Sequence, residues 1–125
     1  MTVEIAGWLF RTINHEVAGA EALAAETDLV TVLGEKTLGP GGGKRFIDHI
    51  RSNSEAKIRI VEMFTRNRAV IDGLEDRIRE GESLTADDAH LLAVAAIKDE
   101  VLSEAITETA YGYRFRPGWK EEWKP

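Results

Sequence analysis

The chain has 125 residues with 22 acidic and 16 basic side chains, a formal charge of −6 at pH 7, which argues against broad attraction to nucleic acid or an anionic membrane. It has no cysteine, hence no disulfide framework and no thiolate metal site, and its length suits one domain spanning 1–125 that buries roughly two-thirds of its unfolded surface. With 43% hydrophobic and 30% charged residues, no basic-then-apolar leader, and no apolar run longer than 91–97, the expectation is a soluble, cytoplasmic protein without membrane association.

A first helix is predicted over 1–27. Ile5, Leu9, Ile13, Val17, Ala20 and Ala24 recur at steps of three and four, one face of a helix. Trp8 borders that stripe and reads as core; Phe10 lies off it and reads as an exposed contact. The alanine-rich run 18–25 is a small-residue surface that admits another helix closely.

Residues 28–51 read as a connection. Leu29-Val30-Thr31-Val32-Leu33 has the β-branched content of a short strand, and Gly34-Glu35-Lys36 is able to turn it. A minimal hairpin is expected, running into the flexible loop Gly39-Pro40-Gly41-Gly42-Gly43 and then a helical turn over 46–51. The loop ends in Lys44-Arg45 and invites a phosphate-binding reading. A P-loop, however, needs a first glycine where Leu38 stands and a hydroxyl where Arg45 stands. A plain connection is the better reading.

The central helix is predicted over 52–81, with Ser52 and Glu55 in capping-box relation. Ile60, Phe64, Asn67, Ile71, Leu74 and Ile78 form its seam, and Ile58, Val61 and Val70 widen it. Asn67 interrupts the seam. Either it fixes register and partner number, with Ile71 and Leu74 beside it in a homodimer interface, or it faces solvent at the stripe's edge. Gly73 within this helix costs about 1 kcal/mol relative to alanine, which a close neighbour or a slight kink would explain.

Thr85 and Asp88 cap a third helix over 85–110, whose apolar residues Leu91, Leu92, Val94, Ala95, Val101, Leu102, Ala105 and Ile106 make a broad face. The turn before it is short, so it lies antiparallel to the central helix. Residues 44–68 hold seven basic and three acidic side chains, and residues 75–108 hold three basic and ten acidic. In an antiparallel pair these blocks face each other, with Arg66 and Arg68 near Asp99 and Glu100, and Lys57 and Arg59 near Glu104 and Glu108. Such pairs choose alignment more than they add stability.

Catalytic signals are weak. His15-Glu16 begins like a zincin helix, but Gly19 stands where the second histidine belongs. Asp87 and His90 supply one acid–histidine pair of the two that a carboxylate-bridged metal bundle needs, and His49 beside Asp48 reads equally as packing. Glu100, Glu104 and Glu108 stack at four-residue steps, as in the magnesium ladders of helical nucleotide pyrophosphatases, yet the facing helix offers arginine and lysine. No catalytic residue, metal or cofactor is expected on these grounds; Glu100, Glu104 and Glu108 are the alternative metal set.

The tail, 111–125, holds five of the nine aromatic residues: Tyr111, Tyr113, Phe115, Trp119 and Trp123. Either it folds back and closes the bundle, or Trp119, Trp123, Tyr113 and Phe115 are anchors for a protein partner. A local charge of +2 with aromatics is compatible with single-stranded nucleic acid, which the overall −6 makes the minor option.

Three stretches together resemble a family of small proteins of actinobacteria and their phages that is defined as a domain of unknown function. They are the opening helix WLFRTINHEVAGAEALAA, then Asp48-His49-Ile50 with EAKIRIVE from Glu55, and the ending Tyr111 followed by PGWKEEWKP from Pro117. The family has a longer segment between the second pair of motifs and a tryptophan in its β region, both lacking here. The resemblance implies an actinobacterial or bacteriophage setting and a cytoplasmic protein, and transfers no catalytic residue.

The sequence thus predicts a mainly α fold: a three-long-helix bundle with a minimal β element and glycine loop after the first helix. The expected function is a non-catalytic protein–protein interaction module, a phage-encoded modulator of a host protein in the setting the resemblance implies, acting alone or as a homodimer. A small metal-dependent nucleotide pyrophosphohydrolase and a phage structural or assembly protein are the alternatives.

Overall fold

The computed structural model describes residues 1–25 and 27–125, with the side chains of 23, 24 and 27–32 excepted. The fold is mainly α. Helices α1 (Thr2–Ala25), α2 (Thr27–Leu38), α3 (Gly42–Arg79) and α4 (Ala86–Tyr111) precede a single 3₁₀ turn, Glu121–Trp123. Three of the four helices are long, as the periodicity requires. The chain divides into two compact units, one made of Met1–Leu9 and Arg59–Pro125, the other of Phe10–Ile58.

In the first unit, Ile5, Leu9, Val61, Phe64, Ile71, Leu74, Ala95, Ile106 and Ala110 are buried. A fully buried side chain of the larger kind contributes about 1.5–3 kcal/mol. The α3–α4 connection is fixed by local chemistry at both ends. Gly81, at φ +86°, ends α3, with Gly81 N–H donating to the Ile78 carbonyl and Glu82 N–H to that of Arg77. This is the Schellman pattern, which a side chain at Gly81 would strain. Thr85 caps α4, its hydroxyl oxygen accepting from Asp88 N–H at 3.1 Å, as the sequence predicts. Arg77 then joins the two ends, bonding Glu82 in the turn and Asp88 at 3.0 Å.

In the second unit, Ile13, Ala20, Ile47 and Ser54 are buried. Here the sequence reading needs two corrections. First, the expected minimal β element is absent: 27–38 is helix, and no strand occurs among the described residues. β-branched content is a weak preference that tertiary context overrides. The context here is a contact between glycines: a Cβ on Gly34 would lie 2.3 Å from Gly43 Cα, so α2 runs this close against the first turn of α3 because Gly34 has no side chain. The expected side-chain pattern at 29–32, the place of Ala24 on the α1 stripe, and position 26 lie outside the described residues; the first helix, expected to reach 27, ends at Ala25, and Thr27 already belongs to α2.

Second, the helical turn at 46–51 and the central helix are one element, so Ser52 lies inside α3 and caps nothing. The glycine loop is correspondingly short. Gly39 and Gly41 take φ of +83° and +70°, and Arg45 folds back to donate to the carbonyls of Pro40 at 2.8 Å and Leu38 at 3.2 Å. The arginine that spoils a P-loop motif thus satisfies the loop and the end of α2.

Candidate functional site

The aromatic tail folds back. Trp8, Trp119 and Trp123 form one cluster, with ring centroids 5.7 Å apart for Trp8–Trp119, 5.5 Å for Trp8–Trp123 and 5.7 Å for Trp119–Trp123; Tyr111 extends it at 6.1 Å from Trp119. Edge-to-face contacts of this kind add to the burial of area. Trp8 Nε1 donates to the Pro117 carbonyl at 2.9 Å, and Lys120 bonds Glu4. Of the tail residues read as partner anchors, Trp123 and Tyr113 are buried, Trp119 is half-buried, and Phe115 is 86% exposed. Arg114 lies over both the Tyr111 and Phe115 rings, 4.4 Å from each centroid.

The residues read as an oligomer interface are likewise used within the chain. Ile71 and Leu74 are buried. Asn67 donates from Nδ2 to the Ala95 carbonyl of α4 at 2.8 Å, so it fixes the placement of α3 on α4 inside one molecule. The next residue, Arg68, bonds Asp99 at 3.3 Å and Asp72 at 3.1 Å. The sequence reading placed Arg66 beside Arg68 in this pairing; Arg66 instead points elsewhere. Glu100, Glu104 and Glu108 are exposed on α4, and among the described residues no three histidine or carboxylate side chains come together to hold a metal ion.

Arg66 points into a groove of about 510 Å³ between α3 and α4. Helix α3 supplies Met63, Arg66, Asn67 and Val70; α4 supplies Ile97, Lys98, Val101 and Leu102. The groove is open and largely apolar. Ile97 is 65% and Val101 62% exposed, with Met63 and Val70 also exposed. Arg66 and Lys98 are exposed and form no ion pair among the described residues; no carboxylate lines the groove.

The reason lies in α4. Ala95, Ile106 and Ala110 are its buried residues, so its core-facing side is built largely from small residues. Ile97 and Val101, one turn apart, stand on a second apolar stripe that the chain leaves uncovered. Sequence periodicity showed the broad apolar face but not which part of it stays open. The signal was there in the excess: Leu91, Val94, Ile97 and Val101 follow each other at helical steps in addition to the buried set.

No helix among the described residues is long and apolar enough to cross a membrane. No family model, no curated protein and no solved structure matches the chain.

Proposed function

We propose that this chain is a non-catalytic protein–protein interaction module that receives its partner along the α3–α4 groove. The observation that carries this is the exposure of Met63, Val70, Ile97 and Val101 together on one side of the hairpin. A contiguous exposed apolar patch marks an interaction surface, and helix-in-groove docking is the common way such a surface is used. The aromatic tail supports the same fold rather than competing for the role: Trp8, Trp119 and Trp123 contact one another. In the setting that the resemblance implies, the module is a cytoplasmic modulator, phage-encoded, of a host protein.

The test compares two baits, the native chain and an Ile97→Glu/Val101→Glu variant, both checked by far-UV circular dichroism. Both substituted positions are exposed, so the variant keeps its helicity. Proteins retained by the native chain and lost by the variant support the reading. Identical retention by both baits removes the groove from the function.

A further inference from the structure

Three features compete for a further role: the tryptophan cluster, the glycine-bracketed α2–α3 turn, and the groove. The first two are held by contacts within the chain, although Trp123 Nε1 is buried without a hydrogen-bond partner among the described residues. Trp8 and Pro117 satisfy each other, and Arg45 satisfies the turn. The groove is different, because Arg66 and Lys98 on its lining form no ion pair among the described residues.

We infer that the groove's occupant is an acidic amphipathic helix of a different protein, its apolar stripe on Met63, Val70, Ile97 and Val101 and its carboxylates on Arg66 and Lys98. This deepens the interaction reading above and rests on it.

In a protein of net charge −6, the groove is lined by two cations and no anion. Lysine and arginine beside exposed apolar area extend their stems over it and hold their charged ends at the edge, where they meet a partner's carboxylates. From Met63 to Val70 is seven residues, about 10 Å of helix. That length matches two turns of a docked helix, presenting anchors at i, i+3 or i+4, and i+7.

A second copy of this chain fits poorly. A two-fold interface apposes the same patch on both subunits, which brings two Arg66 and two Lys98 side chains together with no carboxylate from the lining to answer them. Like charges so placed disfavour association. A basic partner is disfavoured for the same reason.

The experiment uses two synthetic 18-residue helical peptides with one leucine stripe, flanked by glutamates in one and by lysines in the other. Binding to the full chain is read by fluorescence polarisation. The acidic peptide is expected to bind and the lysine peptide to bind at least about fivefold more weakly, from two partly screened pairs. Arg66→Glu/Lys98→Glu is expected to reverse that order, and Ile97→Glu to abolish both. Equal binding of both peptides, still lost on Ile97→Glu, overturns the acidic partner and leaves the interaction reading intact. Binding that ignores Ile97→Glu, or no binding of either peptide, overturns the groove as a helix-docking site. Two further outcomes also overturn the proposal: a native dimer by sedimentation that Ile97→Glu dissociates assigns a second copy, and Ile97-dependent binding of decanoate without peptide binding assigns a small amphiphile.

Discussion

Trp8 Nε1 donates a hydrogen bond to the carbonyl of Pro117, 2.9 Å away and 109 positions later in the chain. The bond ties the second turn of α1 to the tail at the point where the chain reverses. Gly118 follows at φ +88°, and a Cβ there would sit 2.8 Å from that same indole nitrogen. The indole, the carbonyl and the glycine therefore form one unit. All three tryptophans of the chain are in the cluster built on it, so intrinsic fluorescence reports tail docking directly.

Replacing the donor should weaken that docking. Trp8→Phe keeps most of the ring area but removes the hydrogen bond to the Pro117 carbonyl, a cost of about 0.5–1.5 kcal/mol. Gly118→Ala meets two obstacles at once, the positive φ and the indole edge, and is expected to destabilise at least as much. Urea unfolding followed by far-UV circular dichroism gives the magnitude, and tryptophan emission in native buffer shows whether the tail is released first. Wild-type midpoints for both variants would remove the unit from the stability of the fold.

A second clasp on the tail depends on pH. The Lys120 ammonium is raised above its ordinary value of 10.5, chiefly by its hydrogen bond to Glu4, with the charge of Glu4 adding to it. A base raised by folding stabilises fully below its unfolded value, and that contribution is lost as pH rises through the folded value. Tail docking should therefore be insensitive to this group from neutral pH to about 10, then weaken above 10.5. Lys120→Met should dock more weakly at neutral pH and lose the alkaline component. The measurement is the difference in tryptophan emission between the two proteins across that range, which cancels tyrosine titration common to both. A constant difference from pH 7 to 12 would count against the clasp.

What the sequence made legible follows from how each signal arises. The α1 stripe was readable because a single spacing marks a single buried face, and Ile5, Leu9, Ile13 and Ala20 are all buried. The α3 seam was readable in its middle, at Phe64, Ile71 and Leu74, and failed at its end, where Ile78 is exposed. Helix α2 was not readable, because the residues at 29–33 favour strand locally while the deciding contact, Gly34 on Gly43, is between positions nine apart that carry no side chain to show a pattern. The groove was hidden for the opposite reason. Helix α4 is apolar around much of its circumference, so periodicity alone does not separate the covered side from the open one.

The antiparallel register of α3 and α4 was legible from charge, though of the pairs expected there for Arg66 and Arg68 only Arg68–Asp99 is seen among the described residues. Arg68 and Asp99 bond at 3.3 Å; Arg66, two positions earlier, faces the groove. A double-mutant cycle on Arg68→Ala and Asp99→Ala should give a coupling of about 0.5–1 kcal/mol, since the pair is only partly exposed and Asp72 shares the arginine. The same cycle with Arg66→Ala and Asp99→Ala should give about zero. Equal couplings in the two cycles would mean the charge blocks act as a diffuse field and do not fix the register.

The glycines offer the sharpest contrast between backbone and packing. Gly73 lies inside α3 with nothing within 4 Å of a built Cβ and with no positive φ. Gly73→Ala should therefore stabilise the chain by about 1 kcal/mol through helix propensity and the unfolded state. Gly34 also lies within a helix, so propensity alone predicts the same gain for Gly34→Ala. Its Cβ, however, would meet Gly43 Cα and N, both at 2.3 Å. These are backbone atoms, so the clash is relieved only by moving α2 off α3. The expected result is a net loss, about 1–3 kcal/mol as for other overpacked sites, with the opposite sign to Gly73→Ala. Thermal melts of the two single variants decide it. A gain in both would mean that α2 does not depend on the glycine contact, and the reason given for a helix at 27–38 would fail with it.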